Sequence, residues 1–260
     1  MKGKPGRDRL ACNLERGSVV TVNITRKRFR SAVELVGFLA LASVLAGYAA
    51  HGPSPTGARA PVPDFAAASQ FPAPQGEQTA VLAGGCFWGV DGVFKHVKGV
   101  TSVVSGFSGG SAATAHYEIV SSGTTGHAES VKIAYDPSKI SYAQLLKIFF
   151  SVALDPTELN RQGPDTGTQY RSVIFYANNQ QKQIAEAYID QLDKARVFSR
   201  PIVTQVAPLK AFYPAEAYHQ NYLEWHPDNP YIAYNDLPKL NALKTEFPDL
   251  YSSKPARVGK

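Results

Sequence analysis

The segment Gly84-Gly85-Cys86-Phe87-Trp88-Gly89 decides the local fold, because it joins a strand to a helix. The residues before it, Thr79 to Ala83, form a short apolar run that predicts a strand. After the glycines, apolar residues recur at helical spacing, as Phe87, Val90, Phe94 and Val97. Cys86 is therefore expected at a helix N-terminus, where unpaired backbone N–H groups and the helix dipole favour an anion.

This position makes Cys86 a candidate nucleophile. Thiols at helix N-termini can have their pKa lowered to roughly 3.5–7.5, and the thiolate is the reactive form. The alternative is that Cys86 is buried as a small apolar residue. Position alone leaves both interpretations open.

The positive charge of the chain is confined to its N-terminal part. The chain has 260 residues and a formal net charge of +6. Residues 1–50 hold nine of the 27 Lys and Arg and three of the 21 Asp and Glu, so the remainder is neutral. Because nucleic-acid binding requires a basic patch on the folded part, no nucleic-acid partner is expected.

Residues 1–50 have the pattern of an export signal or an N-terminal anchor. Residues 26–30 are basic, and residues 35–50 form an apolar stretch that is short for a membrane span. The pattern predicts a periplasmic or extracellular protein, with an uncleaved, membrane-anchored form as the alternative. Cleavage would remove Cys12 and leave Cys86 as the only cysteine.

The rest of the chain divides into three parts. Residues 51–78 are rich in Pro and Ala and predict an extended or disordered linker. We expect residues 79–252 to form one catalytic domain and residues 253–260 to form a flexible tail. The protein is expected to be a monomer. Strands and helices alternate there, but some strands follow each other directly. This favours an α+β fold, a two-layer mixed-sheet sandwich.

Individual elements of the domain follow from periodicity and capping signals. Ser141 and Gln144 form a capping box that predicts a helix start. The expected strands cover residues 100–107, 116–120, 127–135, 170–176 and 203–209, and the expected helices cover 141–150, 179–195, 214–223 and 237–247.

Glu129 is the acid with the most informative position. In the strand predicted over 127–135 it shares parity with Val131, Ile133 and Tyr135, so it is expected on the apolar face. An apolar environment raises the pKa of a carboxyl group, which would let Glu129 act as a general acid near neutral pH. The alternative is that the strand ends earlier and Glu129 is solvated.

Other candidates have both a structural and a functional interpretation. Asp165 lies in a polar loop and is either a turn residue or a ligand-binding residue. Tyr117 and Tyr170 are either core aromatics or donors of a hydroxyl group to a polar ligand. Phe87 and Trp88 would form an apolar wall beside the nucleophile.

The histidines show no spacing typical of a zinc site, so neither a metal nor a cofactor is expected. His219 is interpreted as a structural residue of the helix predicted over 214–223. A histidine close to Cys86 in space would instead indicate a Cys–His acyl-transfer enzyme. A third interpretation is a module that binds sulfoxide or thioether side chains without turning them over.

Taken together, the motifs resemble those of the peptide methionine sulfoxide reductase A family, in order and with similar spacing from Thr79 to Tyr234. The motifs that carry the resemblance are Gly85-Cys86-Phe87-Trp88-Gly89, Gly123-Thr124-Thr125-Gly126-His127-Ala128-Glu129, Gly167-Thr168-Gln169-Tyr170-Arg171-Ser172, and Tyr218-His219-Gln220 with Tyr222. The resemblance implies a ferredoxin-like two-layer fold. It also implies reduction of methionine-S-sulfoxide, in oxidised proteins or as the free amino acid.

The resemblance implies a role for each candidate. Cys86 would attack the sulfoxide sulfur and Glu129 would protonate the departing oxygen. The other side chains would surround the substrate, with the oxygen held by Tyr117, Asp165 and Tyr170 and the methyl group by Phe87 and Trp88.

The resemblance is incomplete at the C-terminus. Many family members carry resolving cysteines there, whereas this chain has no cysteine after Cys86. The sulfenic acid left on Cys86 must be resolved by a second thiol. We therefore expect an external reductant, either a small thiol or a thioredoxin-like protein.

Overall fold

A six-stranded mixed sheet is the centre of the fold in the computed structural model, which describes residues 61–256. In chain order the strands are β1 (Gln78–Ala83), β2 (Val100–Ser108), β3 (Ala128–Tyr135), β4 (Arg161–Gln162), β5 (Asp165–Thr166), β6 (Val173–Tyr176), β7 (Gln205–Pro208) and β8 (Tyr213–Pro214). The sheet order is β7-β6-β1-β3-β2-β8, and β4 and β5 form a separate hairpin. Only β6 and β7 of the described pairs are parallel, which confirms the predicted mixed sheet.

Helices complete the α+β fold. They are α1 (Phe87–Lys95), α2 (Tyr117–Val120), α3 (Tyr142–Ile148), α4 (Asn179–Lys194), α5 (Tyr222–Trp225) and α6 (Leu237–Glu246). A π-helical turn over Phe149–Ala153 follows α3, and another over Ile232–Asp236 precedes α6. The predicted capping box is present: the Ser141 hydroxyl accepts from the Gln144 backbone N–H, and the Gln144 side chain accepts from the Ser141 N–H.

The two faces of the sheet carry different cores. On one face, Leu82 of β1 lies opposite Val131 of β3, and helix α1 packs over β2 and β3. On the other face, a smaller cluster contains Val81, Val173 and Phe175. Glu129 shares the parity of Val131 and therefore lies on the face covered by α1.

The segment 61–75, here called the N-terminal strap, packs on the domain. Val62 and Phe65 are buried. The Tyr188 hydroxyl on α4 donates to the Pro63 carbonyl at 2.5 Å, and the Phe65 and Tyr188 ring centroids are 5.4 Å apart. The linker prediction is therefore corrected for this part of the chain, because apolar anchors between the prolines hold it on the helix.

The structure differs from the prediction in the secondary structure of two segments. Residues 116–120 were predicted as a strand, but they contain the one-turn helix α2, since so short a run does not distinguish the two periodicities. The helix predicted over 214–223 is also wrong. Pro214 instead pairs with Gly106 at the sheet edge, where a missing N–H is tolerated, and Asn221, at φ +58°, interrupts the run before α5.

The loop around Asp165 is more ordered than predicted. It contains the β4–β5 hairpin, in which Gln162 pairs with Asp165. The strand predicted from Tyr170 begins at Val173, because residues Thr168–Tyr170 form a 3-10 turn.

Several predictions fall outside the described residues. These are the signal or anchor segment over residues 1–50, Cys12 within it, the first ten residues of the predicted linker, and the last four residues of the predicted tail. Within residues 61–256, no helix has both the length and the apolar character that a membrane span requires.

Candidate active site

A glycine turn places Cys86 at the start of α1. Strand β1 ends at Ala83, and Cys86 is the N-cap residue of the helix. Gly85 has φ +89°, and a Cβ there would lie 2.5 Å from the Gln162 Cβ, so both conformation and space require glycine. Cys86 is 2% exposed. The structure confirms its predicted place at the helix N-terminus.

Glu129 reaches the first turn of the same helix. Its Oε2 accepts a hydrogen bond from the Phe87 backbone N–H at 3.0 Å, and the residue is 2% exposed. On β2, Phe107 lies opposite Glu129, and its ring centroid is 5.8 Å from that of Phe87. The predicted parity of β3 is thus confirmed, the solvated alternative is wrong, and the carboxyl group lies beside the residue that follows Cys86.

An aromatic wall stands on the other side of the helix start. Trp88 stacks on Tyr222 with ring centroids 3.8 Å apart and an interplanar angle of 8°. The Trp88 indole N–H donates to His219 Nδ1 at 3.2 Å, and the ring centroids of Trp88 and Tyr231 are 5.9 Å apart at an interplanar angle of 82°. The Tyr117 ring packs on His219 at 4.2 Å. These contacts fix the Trp88 ring and bring the predicted Tyr117 to the same wall.

His219 is neutral in this environment. Burial lowers its pKa to about 4, against an opposing effect of Glu216. Its Nδ1 accepts from Trp88, so the proton is assigned to Nε2, which has no hydrogen-bond partner among residues 61–256. Both ring nitrogens of His127 bind backbone groups. Neither histidine therefore forms the Cys–His pair of an acyl-transfer enzyme.

Asp165 joins the site through a tyrosine. Its Oδ2 accepts a hydrogen bond from the Tyr231 hydroxyl, and burial raises the pKa of Asp165. The pKa of Tyr231 is raised first by burial and then by the charges of Cys86, Asp236 and Asp165.

Tyr170 is buried in the turn Thr168–Tyr170, which packs against β3 and β4. The described contacts link the remaining predicted site residues into one cluster at the start of α1, namely Cys86, Phe87, Trp88, Tyr117, Glu129 and Asp165. A buried thiol, a buried carboxyl and an aromatic wall together suit proton-assisted attack on a small, partly apolar group.

Residues 78–250 match the sequence model of the family described as peptide methionine sulfoxide reductase. The chain belongs to this family. It is 62% identical over 183 residues to peptide methionine sulfoxide reductase MsrA 2 of Mesorhizobium japonicum, covering 70% of this chain and 94% of the relative. A Synechocystis protein of the same name is 53% identical over 175 residues, covering 67% and 82%.

Solved structures agree with this membership. Methionine sulfoxide reductase A of Corynebacterium diphtheriae has a TM-score of 0.51 at 35% identity, covering 64% of this chain and 82% of that one. Reduced Mxr1 of Saccharomyces cerevisiae has a TM-score of 0.53 at 32% identity, covering 59% and 87%. The predicted family, α+β fold and activity, reduction of methionine sulfoxide by an oxidoreductase, are thereby confirmed.

The site of this reductase also contains residues to which the sequence assigned no role in the chemistry. His219 was interpreted as structural, and Tyr222, Tyr231 and Asp236 were given no role. All four lie in the C-terminal segment and reach α1 only through tertiary packing. The one available signal was the run Tyr218-His219-Gln220 with Tyr222, which carries no local chemical pattern.

Within residues 61–256, no group of three or more His, Cys, Asp or Glu side chains is arranged to hold a metal ion.

Proposed function

We propose that Cys86 is the nucleophile and Glu129 the proton donor in the reduction of methionine-S-sulfoxide. The hydrogen bond from the Phe87 N–H to Glu129 Oε2 carries this proposal, because it holds the acid in the first turn of the helix that begins at Cys86. A helix N-terminus favours the thiolate form of a cysteine.

The reaction balances with these two groups. The Cys86 thiolate attacks the sulfoxide sulfur while Glu129 donates a proton to the sulfoxide oxygen. The attack forms an S–S bond to a substrate sulfur that now bears a hydroxyl group. The hydroxyl group then passes to the Cys86 sulfur as this S–S bond and the substrate S–O bond break, so the thioether leaves and Cys86 is left as a sulfenic acid. Methionine sulfur is reduced by two electrons and Cys86 sulfur is oxidised by two.

The surrounding residues orient the substrate. Phe87 and Trp88 receive the methyl group, and the fixed position of Trp88 between Tyr222 and His219 supports this role. The sulfoxide oxygen is held by Tyr117, Asp165 and Tyr170.

Turnover uses an external reductant, because the sequence has no cysteine after Cys86. A first thiol attacks the sulfenic sulfur, releases water and forms a mixed disulfide. A second thiol breaks that disulfide and restores Cys86. A thioredoxin-like dithiol protein or two small thiols supply these groups. The substrates are oxidised proteins or free methionine sulfoxide.

The reductase is also proposed to act outside the cytoplasm. The basic residues 26–30 followed by the apolar residues 35–50 support export. Cell fractionation with an antibody against the domain tests this: recovery in the cytoplasmic fraction alone would reject it.

A single turnover without reductant tests the chemistry. The full chain is reduced, freed of thiol, and mixed with a methyl sulfoxide of both epimers. About one thioether per Cys86, with a sulfenic-acid probe attached at Cys86, is the expected result. Chiral analysis of the remaining sulfoxide should show loss of the S epimer.

Cys86→Ser is the matched control and should give no thioether. Absence of product from a folded, reduced wild-type protein would reject the proposed chemistry. Equal loss of both epimers would reject the stereochemical assignment alone.

A further inference from the structure

Asp236 is a buried acid that the proposed chemistry does not use. It is 0% exposed and ends the π-helical turn Ile232–Asp236 just before α6. Its Oδ1 lies 3.2 Å from Lys239 Nζ, and its Oδ2 has no hydrogen-bond partner among the described residues. A buried carboxyl oxygen without a partner costs free energy, so the surrounding structure must hold this side chain in place.

The ion pair packs against the first turn of the catalytic helix. A Cβ at Gly89 would lie 2.1 Å from Asp236 Oδ1 and 2.9 Å from Lys239 Nζ. Gly89 is three residues after Cys86, and the lack of a side chain there leaves room for the pair. These contacts fix the position of the segment 231–239 relative to the first turn of α1.

The same segment carries Tyr231. Its hydroxyl donates to Asp165, its ring packs nearly perpendicular to that of Trp88, and Asn235 Nδ2 donates to its carbonyl at 3.0 Å. The charges of both Asp236 and Cys86 act on the Tyr231 hydroxyl. The position of this hydroxyl on Asp165 therefore depends on how the segment packs against α1.

We propose that Asp236 is a positioning residue: held by Lys239 against Gly89, it keeps the Tyr231 hydroxyl on Asp165 and the Tyr231 ring against Trp88. Asp236 acts through Tyr231 and is not assigned a contact with the substrate. This inference rests on the proposed function, since its effect is read from sulfoxide reduction.

A double-mutant cycle between Asp236→Asn and Tyr231→Phe tests the inference in the full chain. Single-turnover rates are measured over a range of sulfoxide concentrations. Each single variant should raise the half-saturating concentration about tenfold and lower the maximal rate much less, because Tyr231 orients bound substrate. The double variant should be no worse than Tyr231→Phe alone, since Asp236 acts through the residue already removed.

Asp190→Asn is the matched control, because Asp190 forms an exposed ion pair with Lys194 at 2.6 Å on α4. It should leave the single-turnover rates unchanged. If Asp236→Asn does not fold, Lys239→Met replaces it in the same cycle, with the same expected non-additivity.

Independent, additive effects of the two substitutions, about a hundredfold together, would overturn the inference, as would wild-type behaviour of Asp236→Asn. Failure of the wild-type protein to turn over even once would reject the proposed function instead.

Discussion

Helix α1 has buried ionisable groups at both ends, and they have different kinds of partner. At the C-terminal end, Asp91 and Lys95 form an ion pair at 2.7 Å, and Lys95 also donates to Asn221 Oδ1 at 2.6 Å. At the N-terminal end, Glu129 accepts from the Phe87 backbone N–H. The first arrangement neutralises charge within the protein, whereas the second leaves a carboxyl group beside the residue that follows Cys86.

The difference separates a structural end from a chemical end of one helix. A buried ion pair is costly to break, because the remaining charge stays out of water without a partner. A carboxyl group bonded to a backbone N–H can be protonated or ionised without leaving such a charge on a second side chain.

Glu129→Gln is expected to have the largest effect. The glutamine oxygen can still accept from the Phe87 N–H, but the side chain has no acidic proton to donate. The single-turnover rate should fall by about 10²–10⁴-fold, while the thermal unfolding midpoint stays close to that of the wild type. A rate near the wild-type value would remove the chemical role from this end of α1.

Lys95→Met should mainly affect stability. It leaves the Asp91 carboxyl buried without its counter-ion and should lower the free energy of unfolding by about 3–5 kcal/mol, measured by urea denaturation at pH 8. The turnover rate per folded molecule should be unchanged. A loss of rate as large as that of Glu129→Gln would contradict the separation of the two ends.

The pH dependence sharpens this prediction. Burial raises the pKa of Asp91 to about 6, although Lys95 acts to lower it. Without Lys95 this pKa is higher still, so at pH 5 the carboxyl group of the variant is protonated and no longer needs the counter-ion. The stability loss caused by Lys95→Met should therefore be smaller at pH 5 than at pH 8.

His219→Gln is expected to have the smallest effect of these substitutions. The effect is a change in how the free energy of unfolding depends on pH. The pKa of His219 is lowered from 6.5 to about 4 by burial. Between these values the unfolded chain binds a proton that the folded protein does not, so His219 makes the wild type less stable as the pH falls from about 6.5 to about 4. The glutamine oxygen can still accept from Trp88 and does not titrate.

The difference in unfolding free energy between His219→Gln and wild type should therefore change in favour of the variant by about 1–3 kcal/mol on going from pH 7 to pH 4.5. Chemical denaturation at the two pH values measures it. A pH-independent difference would show that the histidine is not held neutral.

Features with a local cause could be predicted from the sequence. The alternation Glu129, Val131, Ile133 fixed the buried face of β3, and the glycine turn fixed Cys86 at the start of α1. Helix α4 was expected over 179–195 and covers Asn179–Lys194. In each case the neighbouring residues supply the whole pattern.

Features set by tertiary packing could not be predicted in this way. Tyr231 and Asp236 lie far along the chain from Cys86 and carry no motif that ties them to it. Pro214 has a helix-start signal, yet its pairing with Gly106 at the sheet edge prevails. The packing of Phe65 on α4 likewise depends on a partner about 120 residues away.

The N-terminal strap bears on how the domain can be trimmed. Cutting the chain at β1 would remove Val62 and Phe65 and uncover the apolar side of Tyr188 on α4. Exposing apolar surface to water costs a free energy of roughly 25 cal/mol per Å², and contiguous apolar patches promote self-association. A truncated protein that begins at β1 would keep all the predicted site residues but would be prone to aggregate at high concentration. A truncated protein should therefore begin before Val62.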